Sequence, residues 1–248
     1  MSGAAVEIRP CTRLEDFQRC VELQKIIWGF EDIDLVPLRM FVVADKIGGQ
    51  VFGAYDGATM IGFVLALPGY RHGRPYFHSH MAAVLPDYQR QGLGRRLKLR
   101  QREGALARGV ELVEWTFDPL ELGNAYFNLE RLGVIVRRYV RNQYGVTSSP
   151  VHGGLPTDRL VAEWWVATPR VRAVVAGERV QHNPQAERIA VPAAIARLKQ
   201  SDRTAAEKVQ TTVRAGFEKW LGQGYAVTGY LLEESGGTFL LEPDEEPK

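Results

Sequence analysis

The sequence predicts a mixed α/β sheet with helices on both faces. One reason is that apolar runs of strand length alternate with helix-period segments, in the order β-α-α-β-β-β-α-β-α-β-β up to residue 168. Another is the dipeptide Asp56-Gly57, which joins two apolar runs as a hairpin. The third is a strand-like run, "HSHMAAVLP", that leads straight into the glycine turn and basic helix of "DYQRQGLGRRLKLRQR". After Trp165 the pattern weakens. The sequence therefore divides into a domain over residues 1–168 and a small C-terminal α/β extension over 169–248.

The elements follow in order. "VEIRPC" alternates as a strand, and Thr12 is placed to cap the helix "RLEDFQRCVELQKIIWG", which Gly29 ends. A second helix falls within "LVPLRMFVVADKIGG", before Gly48 and Gly49. "VFGAYDG" and "TMIGFVLALPGY" form the hairpin, and "RPYFHSHMAAVLP" is a further strand stopped at Pro86. The basic helix runs from about Gly92 to Arg108, "VELVEWTF" is a strand, and "LELGNAYFNLERLG" is a helix closed by Gly133. "VIVRRYVRNQYG" and "RLVAEWWVAT" are the last strands of the first domain.

In the extension, "TPRVRAVVAGERVQHNPQAE" lacks a regular pattern. "RIAVP" reads as a strand. A helix over about 202–222 carries an apolar stripe of Val209, Val213, Phe217 and Trp220 or Leu221. A final hairpin turns at Gly236-Gly237, and the last six residues read as disordered.

Composition narrows the function classes. The 248 residues are 45% hydrophobic and 24% charged, ordinary for a globular protein, and the net charge of +2 gives no basis for nucleic-acid binding. Cys11 and Cys20 are too few for a disulfide framework and have no zinc-ligand spacing around them, so no metal site is expected. The N-terminus lacks the pattern of a signal peptide, and no apolar run reaches the roughly 18 residues of a membrane span. A cytoplasmic protein without membrane or nucleic-acid partners is the expectation, with a homodimer through the extension or the last strands left open.

"QRQGLGRRL" has the chemistry of an anion site. A P-loop sequence is absent, and Leu97 stands where a dinucleotide fingerprint needs its third glycine. What remains is Q-x-x-G-x-G, Gln89 to Gly94, at a strand-to-helix junction. Glycines let the backbone approach a diphosphate, the first N–H groups of the helix point at it, and Arg90, Arg95 and Arg96 add charge.

That motif resembles motif A of the GNAT acetyltransferases (GCN5-related N-acetyltransferases), and "NAYFNLERLG" resembles their motif B. The element order across the first two thirds of the chain is similar to theirs. Within the superfamily the chain looks like a branch carrying "WTFDPLE…NAYFNL" at 115–129 and "LPTDR" at 155–159. The resemblance implies a GNAT fold, its central sheet splayed between two strands, and acetyl-CoA as co-substrate. The acceptor would be an amine of a small molecule or peptide.

It also implies roles for residues. Residues 90 to 95 (Arg90, Gln91, Gly92, Leu93, Gly94 and Arg95) would hold the coenzyme diphosphate. The backbone of Ala82, Ala83 and Val84 would pair with the pantetheine arm, the Val84 N–H polarising the thioester carbonyl. Asn124 and Phe127 would line the far side of the arm. His78 falls where histone-type members place a catalytic glutamate. By the strand's period of two it shares a face with His80, Ala82 and Val84. Both histidines are candidate bases, and Asp118 is a candidate base or a binder of a cationic substrate. Asp158 and Arg159 read either as a salt-bridged loop or as part of an acceptor pocket. Leu129 stands where many members have the tyrosine that protonates the thiolate. That departure also fits a non-catalytic acyl-CoA-binding protein; a longer acyl-CoA or a hydroxyl acceptor are further alternatives.

Overall fold

The structure is a computed structural model that describes residues 6–145 and 154–244. Most of the tail expected to be disordered and the first residues of the N-terminus lie outside the described residues. The chain forms two compact units that divide between Glu114 and Trp115.

The first unit holds β1 (Glu7–Pro10), α1 (Leu14–Trp28), α2 (Leu38–Lys46), β2 (Gln50–Asp56), β3 (Thr59–Arg71), β4 (Arg74–Val84), α3 (Leu93–Leu106) and the start of β5 (Leu112–Phe117). Strands β1 to β4 pair antiparallel in sequence order. Strand β5 then joins β4 in parallel, which makes the sheet mixed. One face packs on α1 and α2 through Phe17, Leu23, Phe41, Phe63 and Leu65. The other packs on α3 through Phe52, Ile61, Val64, Leu93 and Leu97. Each helix turns an apolar stripe to the sheet, and this burial drives the layering. Cys11 and Cys20 are buried free thiols.

The start of α1 differs from the sequence expectation. Thr12 does not cap it; the Asp16 carboxylate reaches back to the Thr12 and Arg13 N–H groups (3.4 and 3.3 Å) and also accepts the Tyr55 hydroxyl at 2.8 Å. A buried carboxylate that ties the helix to β2 displaces a local hydroxyl cap.

The second unit holds the end of β5, α4 (Leu122–Tyr126) with a π-helical turn at Phe127–Arg131, β6 (Ile135–Val140), β7 (Arg159–Trp165), α5 (Pro169–Ala176), β8 (Glu187–Pro192), α6 (Ile195–Ser201), α7 (Arg203–Gly222), β9 (Tyr225–Glu233) and β10 (Gly236–Pro243). The strands of the extension continue the sheet. β9 meets β6 at Val136↔Val227, β10 pairs with β9, and β8 with β10.

Three local expectations are corrected in this unit. The stretch after residue 168 contains a helix: Thr168 accepts the Val171 N–H and Pro169 occupies the first turn. The last hairpin turns at Glu234-Ser235, because Gly236 already pairs with Glu233. The face that α7 buries is Ala206, Gln210, Val213 and Phe217 rather than one running through Val209.

The "LPTDR" segment fastens α7. Asp158, 1% exposed, accepts from Arg214 Nη2 (2.7 Å), from the Tyr139 hydroxyl (2.5 Å) and from the Asn142 N–H (2.9 Å). The Pro156 carbonyl accepts from Gln210 at 2.8 Å. Removing one member of a buried charged network leaves the others unpaired, at a cost of about 3–5 kcal/mol. We therefore expect Asp158→Ala to lose stability of that order in urea unfolding. The exposed Arg203→Ala, which breaks only the Glu207 surface pair, should change it by less than about 1 kcal/mol.

Candidate active site

The site in the first unit grows from an irregularity in β4. Opposite β3, Met81 pairs with Leu65 and Ser79 with Ala66, so His80 is one residue too many. A bulge of this kind breaks the period of two. On its C-terminal side, Met81 and Ala83 point to the α1/α2 core while Val84 packs on the α3 side. On its N-terminal side the parity is reversed: Ser79 bonds to α3 residues. His78, opposite Leu67 of the α1/α2 cluster, lies on the α1/α2 side. The expectation that His78 shares a face with Ala82 and Val84 is thus corrected, since alternation cannot be counted through a bulge.

Beyond His78, β4 offers a backbone edge. Its ladder with β5 holds Phe77↔Val113 and His78↔Glu114 among the described residues. Leu85 donates its N–H to the Ile61 carbonyl of β3 (2.9 Å), so the N–H and C=O of Val84 face away from β3. The Gln89 side chain holds the Val84 carbonyl at 2.9 Å, which gives the first residue of Q-x-x-G-x-G a structural task.

The glycine turn follows. Arg90 (φ +61°) and Gly92 (φ +79°) are both left-handed, and α3 begins at Leu93 with no side-chain cap. The Arg96 N–H closes the first turn on the Gly92 carbonyl at 3.1 Å, so the N–H groups of Leu93 and Gly94 have no intrahelical acceptor. A Cβ on Gly94 would meet no atom within 4 Å, and its φ is not left-handed. Neither packing nor backbone strain in the protein explains that glycine. The open space before the helix, lined by N–H groups at the positive end of the dipole, fits an anion that approaches the backbone closely. Arg96 is not available as expected, because its guanidinium donates to the Val6 carbonyl.

Beneath the bulge lies a buried polar cluster that the sequence reading missed. Lys98, 3% exposed, donates to Ser79 Oγ (2.8 Å) and to Gln101 Oε1 (3.1 Å), and Ser79 donates to the same Gln101 oxygen (3.0 Å). Burial pushes the Lys98 amine well below its ordinary value. Lys98 and Gln101 fall on the helix face of Leu97 and Ala105, and that spacing was the available signal.

Glu114 lies on the neighbouring strand β5. It is 6% exposed, neighbours His78 across the β4–β5 ladder, and is held by Arg71 of β3 at 2.7 Å. A charged residue inside the apolar strand "VELVEWTF" was its signal. Burial lowers the pKa of His78, Glu114 opposes that shift, and Lys98 adds to it. His80 keeps an exposed edge. The protein around it still displaces enough water to lower its pKa, and the nearby His78, with ring centroids 6.1 Å apart, lowers it further. Both imidazoles are therefore neutral at pH 7, the state a base requires.

The second unit places the other expected residues. Asp118 accepts the Leu120 N–H (2.8 Å) and pairs with Lys199 at 3.0 Å. Lys199 also bonds Glu121 at 2.7 Å. Asn124 is exposed, and its Oδ1 accepts from Asn128, whose own oxygen accepts the Trp115 indole N–H at 3.2 Å. This chain of bonds links the two halves of "WTFDPLE…NAYFNL". Phe127 is half-buried and opens the π-helical turn. Leu129 is fully buried.

Residues 47–127 match the family model described as the acetyltransferase (GNAT) domain. No curated protein matches the chain significantly. Among solved structures, the chain is similar to the ribosomal-protein-S18-alanine N-acetyltransferase from Escherichia coli, with 18% identity and a TM-score of 0.53 over 66% of this chain and 95% of that one. It is similar to Arabidopsis thaliana NAA60 in complex with a bisubstrate analogue, with 14% identity and a TM-score of 0.53 over 65% and 98%. It is also similar to yncA from Salmonella typhimurium with its cofactor acetyl-CoA, with 17% identity and a TM-score of 0.54 over 66% and 96%. At these identities the likeness to solved structures shows the fold alone. Residues 47–127 thus carry an acetyltransferase (GNAT) domain, and the likeness in fold extends over about two thirds of the chain.

Proposed function

We propose that the protein is an acetyl-CoA-dependent N-acetyltransferase that acetylates a primary amine, with His78 as its base. The observation that carries the coenzyme half is Gly94, whose missing side chain leaves space in front of unpaired helix N–H groups and serves nothing inside the protein. Leu93, Gly94 and the left-handed turn from Arg90 to Gly92 would hold the diphosphate. The outward N–H of Val84 would accept the thioester oxygen as charge develops on it.

Acetyl-CoA supplies an acetyl thioester, whose transfer to an amine yields an amide and a free thiol. His78 takes the proton that the amine nitrogen loses as its bond to the acetyl carbon forms and the carbon–sulfur bond breaks. The departing sulfur carries a proton from solvent away as the thiol. With Leu129 buried, no side-chain acid stands at the usual place. A thiol of pKa about 8.5 is a good enough leaving group to do without one. The bulge supports this division of labour, because α3 lies behind one face of β4 and His78 lies on the other.

Two measurements test the reading. Gly94→Ala meets no clash and should fold with unchanged or slightly raised stability. Gly94→Glu should weaken coenzyme A binding by at least about tenfold, roughly 1.4 kcal/mol, in calorimetry. Unchanged affinity in Gly94→Glu would overturn the coenzyme site. His78→Ala should lower turnover across an amine panel by about a hundredfold while coenzyme affinity persists. The acid limb of the unaltered enzyme's rate profile should lie below the ordinary histidine value of 6.5, because burial makes the imidazolium harder to form. Tight coenzyme binding without turnover on any amine would mark a binding protein instead.

A further inference from the structure

The geometry points to Glu114, clamped by Arg71, as the positioning residue of His78: it orients the imidazole and stabilises the imidazolium that forms when the base takes its proton. This rests on the acetyl-transfer reading above. His78 and Glu114 are register partners in the parallel β4–β5 ladder, so their side chains leave the same face from backbones about 4.8 Å apart. Arg71 reaches Glu114 from β3, whose Leu67 lies opposite His78. Tyr76, two residues before His78 on the same strand, lies under the Arg71 guanidinium, 5.4 Å from ring centroid to Cζ. Three adjacent strands thus converge on one imidazole.

A carboxylate in this place needs a reason. At 6% exposure it has lost most of its water, and an apolar residue would fill a central strand at lower cost. Arg71 holds Glu114 at 2.7 Å, and Glu114 acts to raise the pKa of His78. Lys98, from α3 on the far side of the sheet, works against protonation of the ring. Glu114 is the group whose charge becomes more favourable as the proton arrives, and such differential stabilisation accelerates a proton transfer.

The sign of the test follows. Glu114 raises the pKa of His78, so Glu114→Gln should move the His78 titration, followed by NMR of the imidazole, to lower pH. The acid limb of the rate profile should move with it. Turnover on the plateau should fall about tenfold, because a weaker base drives the transfer less, while coenzyme A affinity stays unchanged. Glu111→Gln, which breaks the exposed Arg74 pair, is the control and should move none of these. Arg71→Gln combined with Glu114→Gln removes both charges together and keeps the test open if the single change leaves Arg71 unpaired and the protein unstable. If His78→Ala abolishes turnover but Glu114→Gln leaves the titration and the limb in place, the inference fails and the acetyl-transfer reading stands. If the titration shifts as expected but no amine is acetylated by the unaltered protein, that reading fails and the Glu114–His78 coupling stands.

Discussion

One extra residue in β4 organises the first unit. Without the bulge at His80, His78 and Val84 would project to the same side of the sheet, and α3 would pack against His78. With it, Ser79 faces α3 while Met81 and Ala83, only a few residues later, face α1 and α2. Bulges cost a ladder hydrogen bond and tend to slip unless something fixes their register. Here the fixing is polar: Ser79 is gripped from α3 by Lys98 and Gln101 within about 3 Å.

That grip explains why a lysine sits in a helix core. An ammonium this deeply buried would be costly, and the chain resolves the conflict by disfavouring the charge rather than exposing the side chain. The long, flexible Lys98 side chain brings the amine to Ser79 from the second turn of α3. Leucine there would fill a similar volume but would remove the donor that holds the Ser79 hydroxyl. The choice of lysine thus connects the helix that begins at the glycine turn to the strand that carries the histidines. Displacing one would disturb the other.

Much of this was legible in the sequence because it rests on local chemistry. Gly29, Gly48 and Gly133 end or follow their elements in the left-handed conformation that glycine makes cheap. The strand–turn–helix around Gly92 was written in spacing alone. What escaped is non-local. Counting by two through "HSHMAAV" gave the wrong partner for His78, because a bulge is set by the opposing strand and by α3, neither of which the seven residues contain. Glu114 takes its place from Arg71, forty-three positions earlier, and no local pattern connects the two. The helix at Pro169–Ala176 was hidden for another reason: a Thr-Pro start signal is strong only when the residues after it are read as its first turn.

The two sequence signatures of the branch divide on the same principle. "LPTDR" looked open to a role in an acceptor pocket, yet Asp158 spends its oxygens on Arg214, Tyr139 and the Asn142 N–H, and Pro156 holds Gln210. These bonds join the β6–β7 region to α7, so the segment and the extension need each other. Without α7, Asp158 would keep its burial and lose its cation. The same holds at Asp118, where Lys199 of α6 supplies the counter-charge and is itself buried. A chain cut at residue 168 would leave both carboxylates without their lysine or arginine and would expose the β6 edge that β9 covers at Val136↔Val227. The extension therefore supplies the counter-charges for both signatures, whose residues are first explained by those contacts.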